Sequence, residues 1–215
     1  MKALIGNLAA LAMFALSVPA LAQNAPPAHH IRGTLTAVAD DRLTVSTPAG
    51  PVSVPIDAKT KVVGVVAAGP DEITSGTFIG TANVPGPSST STRALEVVVF
   101  PASMAGTGEG DYPWDLPAGT RHSSMTNGTV AARHGSMMTN GTVMGVNNRS
   151  SKIITLQYKG GSKMVTIPPG VPIVRVEAAP KSLLAAGAHV FVVAGKAGAA
   201  APFVVVGEGG IVPPM

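Results

Sequence analysis

The chain has 215 residues, no Cys, and 15 Lys and Arg against 11 Asp and Glu, a formal charge of +4. Without thiols, it has no disulfides, no thiolate metal site and no acceptor for a lipid anchor. The charge is ordinary solubility charge spread along the chain, and one Trp, two Tyr and five Phe, none in a basic cluster, disfavour nucleic-acid binding.

Residues Met1 to Ala22 read as a secretory signal: Lys2 supplies the positive start, Ala3 to Val18 the apolar run, and Ala20-Leu21-Ala22 the small-x-small cleavage site. The mature chain is then expected to begin at Gln23 and to be periplasmic or secreted. No later apolar run is long enough to span a bilayer. Residues 23–30 form a Pro/Ala leader that has nothing to bury and is expected to be mobile.

From Ile31 the pattern has period two. Ile31, Gly33, Leu35 and Ala37 alternate with Arg32, Thr34 and Thr36, and further strands are predicted at Leu43 to Thr47, Val52 to Ile56 and Thr60 to Val66. Pro70 to Ile73 suits one helical turn, with acidic residues at its unpaired amides. Thr77 to Val84 is a fifth strand. In Arg93 to Phe100, the Val97-Val98-Val99 run suits a strand buried on both faces. Six short strands with one helical turn before the fifth predict a small closed barrel over residues 31–100, because closure hides edge strands.

Residues 101–139 carry the unusual clusters. Gly106 to Pro117 holds the one Trp, and the phrase Met125-Thr126-Asn127-Gly128-Thr129-Val130 recurs as Met138 to Val143. We read these residues as a Gly/Pro/Met/His connector, its Asn-Gly dipeptides as tight turns, and the second copy of the phrase as the start of another module over residues 140–215. The module recurs in register. Gly33-Thr34-Leu35 matches Gly141-Thr142-Val143, Leu43-Thr44-Val45 matches Ile154-Thr155-Leu156, Val62-Val63 matches Ile173-Val174, Pro70 matches Pro180, and Ile73 matches Leu183. The tail Ile211 to Met215 offers Ile211 and Val212 for packing back on the barrel, before Pro213 and Pro214 stop the ladder. The expected fold is thus all-β, with two OB-like β-barrel modules in tandem.

Ile31 to Val38, Thr60 to Val63, Gly106 to Leu116 with its Pro-Trp-Asp-Leu ending, the Met-Thr-Asn-Gly-Thr-Val phrase and the Val212 to Met215 tail together resemble an uncharacterised family of exported proteobacterial proteins. The resemblance covers nearly all of the mature chain and implies tandem small OB-like barrels, without implying an activity. Some relatives carry the label of a metal ABC transporter permease, which requires several membrane spans.

No catalytic signature is present. Gly-x-Ser-x-Gly is missing, and the glycines at 106, 108 and 110 are not followed by a phosphate-loop Lys-Ser/Thr. The expected role is a non-enzymatic binding or scaffold protein without cofactor, meeting an envelope protein or a cell-wall polymer. Contact is expected through Glu109, Asp111, Tyr112, Trp114 and Asp115, with the two rings covering a module interface while the acids face water. The alternative is copper or zinc held by His122, Met125, His134, Met137 and Met138, because thioether and imidazole together suit those ions. No metal-ligand spacing supports it. An acid-base enzyme would need Glu109, Asp111 or Asp115 to converge in one cleft.

Overall fold

A computed structural model describes residues 30–86, 91–115, 123–131 and 151–214. The fold is all-β. Its strands are β1 (His30–Ala39), β2 (Arg42–Thr47), β3 (Gly50–Pro55), β4 (Lys61–Ala67), β5 (Phe78–Pro85), β6 (Ser91–Ala94), β7 (Val97–Val99), β8 (Gly110–Pro113), β9 (Ser124–Val130), β10 (Lys152–Tyr158), β11 (Gly161–Ile167), β12 (Ile173–Ala178), β13 (His189–Val193) and β14 (Phe203–Gly207). They lie in one sheet, ordered β3-β2-β1-β13-β14-β4-β12-β7-β5-β6-β11-β10-β9-β8, and a further β5–β9 pairing closes a five-stranded barrel of β5, β6, β11, β10 and β9. Among the described residues no helix is long and apolar enough to cross a membrane.

The sheet curls into two lobes, each built from both halves of the chain. In the first lobe β1, β2 and β3 pair onward with β13 and β14, and in the second β9, β10 and β11 join β5, β6 and β7. Residues 31–100 and 140–215 are therefore not two consecutive barrels, as the sequence led us to expect. The chain leaves the first lobe through β4 and returns to it after β12. These two strands pair antiparallel at the centre, Val65 opposite Val176, with Val63 opposite Ala178 and Val174 opposite Ala67. Repeat-related residues thus stand symmetrically about a local two-fold through Val65 and Val176.

Three apolar cores follow. Leu35, Leu43, Val45, Val190, Val192 and Val204 fill the first lobe. Ile79, Val97, Val130, Leu156 and Val165 fill the second. Val63, Val65, Val98, Val174, Val176, Phe191 and Val205 form the core between them. The Val97-Val98-Val99 run divides as its doubly buried reading requires: Val97 and Val99 point into the second lobe and Val98 into the central core. In β14, Val204 and Val206 face the first lobe, and Val205 faces the centre.

The helical turn expected near Pro70 is a 3-10 turn, Pro70–Glu72, ending on Ile73; its counterpart, Lys181–Leu183, ends on Leu184. Ile73 plugs the second lobe and Leu184 the first, so the repeat partner of Ile73 is Leu184 rather than Leu183.

The connector differs most from expectation. The first copy of the repeated phrase is not a turn but β9, and it occupies the place that β1 holds in the other lobe: Thr34 pairs with His189 as Thr129 does with Phe78. Asn-Gly sits in mid-strand here because the next strand presses on the glycine. A Cβ on Gly128 would collide with the Gln157 carbonyl, as one on Gly33 would with that of Ser46. The second copy lies outside the described residues. At the C-terminus Ile211 packs against the central core, whereas Val212 is exposed.

Each lobe needs strands from both sides of residues 132–150, and the seven buried side chains of the central core are worth roughly 2 kcal/mol apiece. A protease site engineered between Ala131 and Ser151, once cut, is therefore expected to leave two fragments that co-elute in gel filtration and part only on unfolding. Separation of folded fragments under native conditions would contradict the exchanged pairing.

Candidate functional site

Residues Glu109 to Asp115 form a strap that runs from the second lobe to the first. Along β8, Gly110 pairs with Asn127, Asp111 with Thr126, and Tyr112 with Met125; the strap continues as Trp114 N–H donates to the Ser123 carbonyl at 3.0 Å. It passes over the central core, to which Phe100, Met104 and Trp114 add partly buried side chains.

At its far end the strap meets the outward residues of β1 and β13. Trp114 lies 4.4 Å from the His30 ring and 6.1 Å, stacked, from Phe191. The Arg32 guanidinium stands 5.1 Å from the Phe191 centroid and 6.0 Å from that of Trp114, a cation held between two ring faces. Asp115 closes the cluster. His30 Nδ1–H donates to its Oδ1 at 2.6 Å, which fixes the proton on that nitrogen, and Arg32 Nη2 donates to the same oxygen at 3.2 Å. Partial burial pushes the Asp115 pKa up, but these two donors outweigh it and hold the carboxyl below its ordinary value. His30 thus starts a strand and anchors the strap, instead of ending a mobile leader.

The near end is held independently. Glu109 accepts from the Lys159 N–H at 3.0 Å, and Asp111 accepts from Lys163 Nζ at 2.6 Å and from Thr126 Oγ1 at 2.8 Å. Tyr112 Oη accepts from Asn127 Nδ2 at 3.0 Å, while burial raises the phenol pKa. The five residues singled out from the sequence therefore share one strap, yet their carboxylates are engaged on three separate elements and do not converge as an acid-base pair. Trp114 packs against the central core between the lobes, and Tyr112 meets its ring edge-on at 6.1 Å. The side chain of Asp115 remains 53% exposed.

Of the residues named for a metal, Met125 is buried at 4% exposure in β9, and His122, His134, Met137 and Met138 lie outside the described residues. Among the described residues no group of three or more His, Asp or Glu is placed to hold a metal ion.

One member of this region escaped the sequence reading. Glu96, 8% exposed, precedes Val97 and so shares the central face with Val98; in the other half the matching residue before Val204 is Phe203. Its Oε1 has no hydrogen-bond partner among the described residues, and burial raises its pKa to about 7 against the pull of Arg32. The signal that could have found it is the mismatch itself, a carboxylate aligned with a ring. Comparison of the chain with protein-family profiles, with curated proteins and with solved structures finds no match.

Because the folded state keeps Glu96 protonated up to about pH 7 while the unfolded chain ionises near 4.5, this residue supports folding fully below pH 4.5. That support drains away as the pH rises to 7, on the order of 3 kcal/mol. Urea unfolding across this window should show wild-type stability falling relative to Glu96→Gln, with the two curves parallel above it. Curves parallel throughout would mean that Glu96 ionises as freely in the fold as in water.

Proposed function

We propose that this chain is a non-enzymatic binding or scaffold protein of the bacterial envelope, exported by the signal that ends at Ala22 and presenting its strap to an envelope partner. The observation that carries this reading is the way the strap is held. It is fastened to the second lobe by Asp111 and Glu109 and to the first by Trp114 and Asp115, so it is a preorganised surface shared by both lobes. A segment anchored at both ends loses little conformational entropy when a partner docks on it. The resemblance to exported tandem-barrel proteins and the signal-like first residues support the compartment.

Two measurements test this. The mature protein in a periplasmic fraction should begin at Gln23 by mass. A photoreactive residue placed at Glu109 or Asp115 should give the same discrete cross-linked species from either position, whereas one at Val38, exposed on the first lobe away from the strap, should not. Adducts from Val38 alone, or none from the strap in intact envelopes, would overturn the reading.

A further inference from the structure

The two lobes are built alike, and among the described residues their interiors diverge at the end beneath the strap. In the second lobe, the inward column of β5 runs Ile79, Thr81, Asn83, and that of β9 runs Val130, Gly128, Thr126, with Thr81 directly opposite Thr126. On β11 the column is Ile167, Val165, Lys163, and on β10 Ile154 and Leu156 lead to Tyr158. The interior therefore passes from apolar at the end plugged by Ile73 to polar at the mouth. The first lobe does not change in this way. The cross-strand pair matching Thr126–Thr81 is Ile31–Val192, and the residue matching Lys163, opposite Val45, is Val52. Since the same architecture closes there with apolar side chains, the polar mouth is not something the fold requires.

The polar residues are ordered into a chain. The Asn83 amide donates to the Thr81 carbonyl and to Thr126 Oγ1, both at 3.0 Å, which fixes its orientation; Thr126 Oγ1 donates to Asp111 Oδ1, and Lys163 Nζ donates to the same oxygen. Both rim contacts fall on Oδ1, so Oδ2 is left to accept from outside, and the Lys163 ammonium keeps further N–H groups to donate. Tyr158 stands beside them, close enough for the Asp111 charge to add to burial in raising its phenol pKa. At the foot of the column Asn83 Oδ1, on a residue 1% exposed, is an acceptor without a donor among the described residues. Holding it there carries a desolvation cost that an apolar residue would not.

We infer that this mouth binds a neutral, hydroxyl-rich ligand, a saccharide unit. Asp111 and Lys163 sum to zero charge, so the mouth offers no net attraction to an ionic ligand of either sign, while a hydroxyl can donate to the carboxylate and accept from the ammonium at once. Tyr158 adds a ring face for the apolar side of a sugar, and the Asn83–Thr126 chain positions Asp111. This inference rests on the reading of the chain as a binding protein and names one class of ligand for it.

The test is calorimetric and NMR titration of the full mature chain with chitotriose and maltotriose, with trialanine as the peptide control, to about 10 mM. The expected result is saturable binding of a saccharide with amide shifts confined to Asp111, Thr126, Tyr158 and Lys163. Replacing the column by the residues of the other lobe, Thr81→Val with Asn83→Ala and Thr126→Ile, should weaken binding roughly tenfold or more and leave Tm equal or higher. Lys163→Met, at the rim, should weaken binding while leaving Thr81, Asn83 and Thr126 in place. The inference fails if neither saccharide binds, if trialanine binds as well, if the triple variant binds like the wild type, or if that variant loses stability. Strap cross-links obtained without saccharide binding would sink this inference alone, whereas loss of both would sink the binding reading with it.

Discussion

The antiparallel pairing of β4 with β12 is the constraint from which the rest of the architecture follows. Each of these strands is the fourth of its repeat, and each is flanked on the other side by a parallel strand, β14 beside β4 and β7 beside β12. A parallel neighbour cannot arrive through a tight hairpin, so the strand beside each must come from a distant part of the chain. Here it comes from the other repeat in both cases, β14 of the second beside β4 and β7 of the first beside β12. Once the two fourth strands are locked at Val65 and Val176, the first three strands of either repeat can be closed only by the last strands of its twin.

That arrangement explains why the chain manages without disulfides. Two barrels of this size standing alone would each have a small core. Exchange adds a third core, mostly valines, that belongs to neither lobe and cannot be opened without pulling strands from both. The two-fold is nevertheless imperfect, and its imperfections are where charge enters. Gly64 and Val66 of β4 stand where β12 has Arg175 and Glu177, and the Glu208 carboxylate occupies the space beside Gly64 that a side chain would take. Arg175 in turn bridges Glu72 and Glu177. These ion pairs are partly exposed and contribute little to stability.

Much of the fold was legible because it is local. Alternation located the first five strands within a residue or two, and Pro70 marked its turn. The doubly apolar Val97 to Val99 run told correctly of burial on both faces. What could not be read was which strand meets which, since nearest-neighbour pairing and exchange place the same side chains in the same kind of environment. Asn127-Gly128 misled for a related reason. A glycine in this dipeptide serves a turn when it must adopt positive φ, but Gly128 serves close approach of the next strand, and the two needs look identical in a sequence. For the candidate site, Trp114 and the acids of the strap stood out by rarity. Their partners did not, because His30 reads as the end of the leader, Arg32 and Phe191 belong to unremarkable β patterns, and all three meet the strap only in three dimensions.

The duplication also supplies an internal control that a single-copy barrel lacks. Where both lobes carry apolar residues, packing alone accounts for them, and a change at such a position says only that volume was conserved. Where one lobe keeps a ring, an alanine or a branched aliphatic and its twin has Glu96, Asn83 or Thr126, packing predicts the apolar residue, and the polar group must be held against its desolvation cost. Those departures gather on one side of the molecule. Glu96 lies under the Arg32 end of the strap, and Asn83 and Thr126 lie under the Asp111 end. The strap therefore covers both places, and that coincidence ties the polar substitutions to the segment that crosses from one lobe to the other.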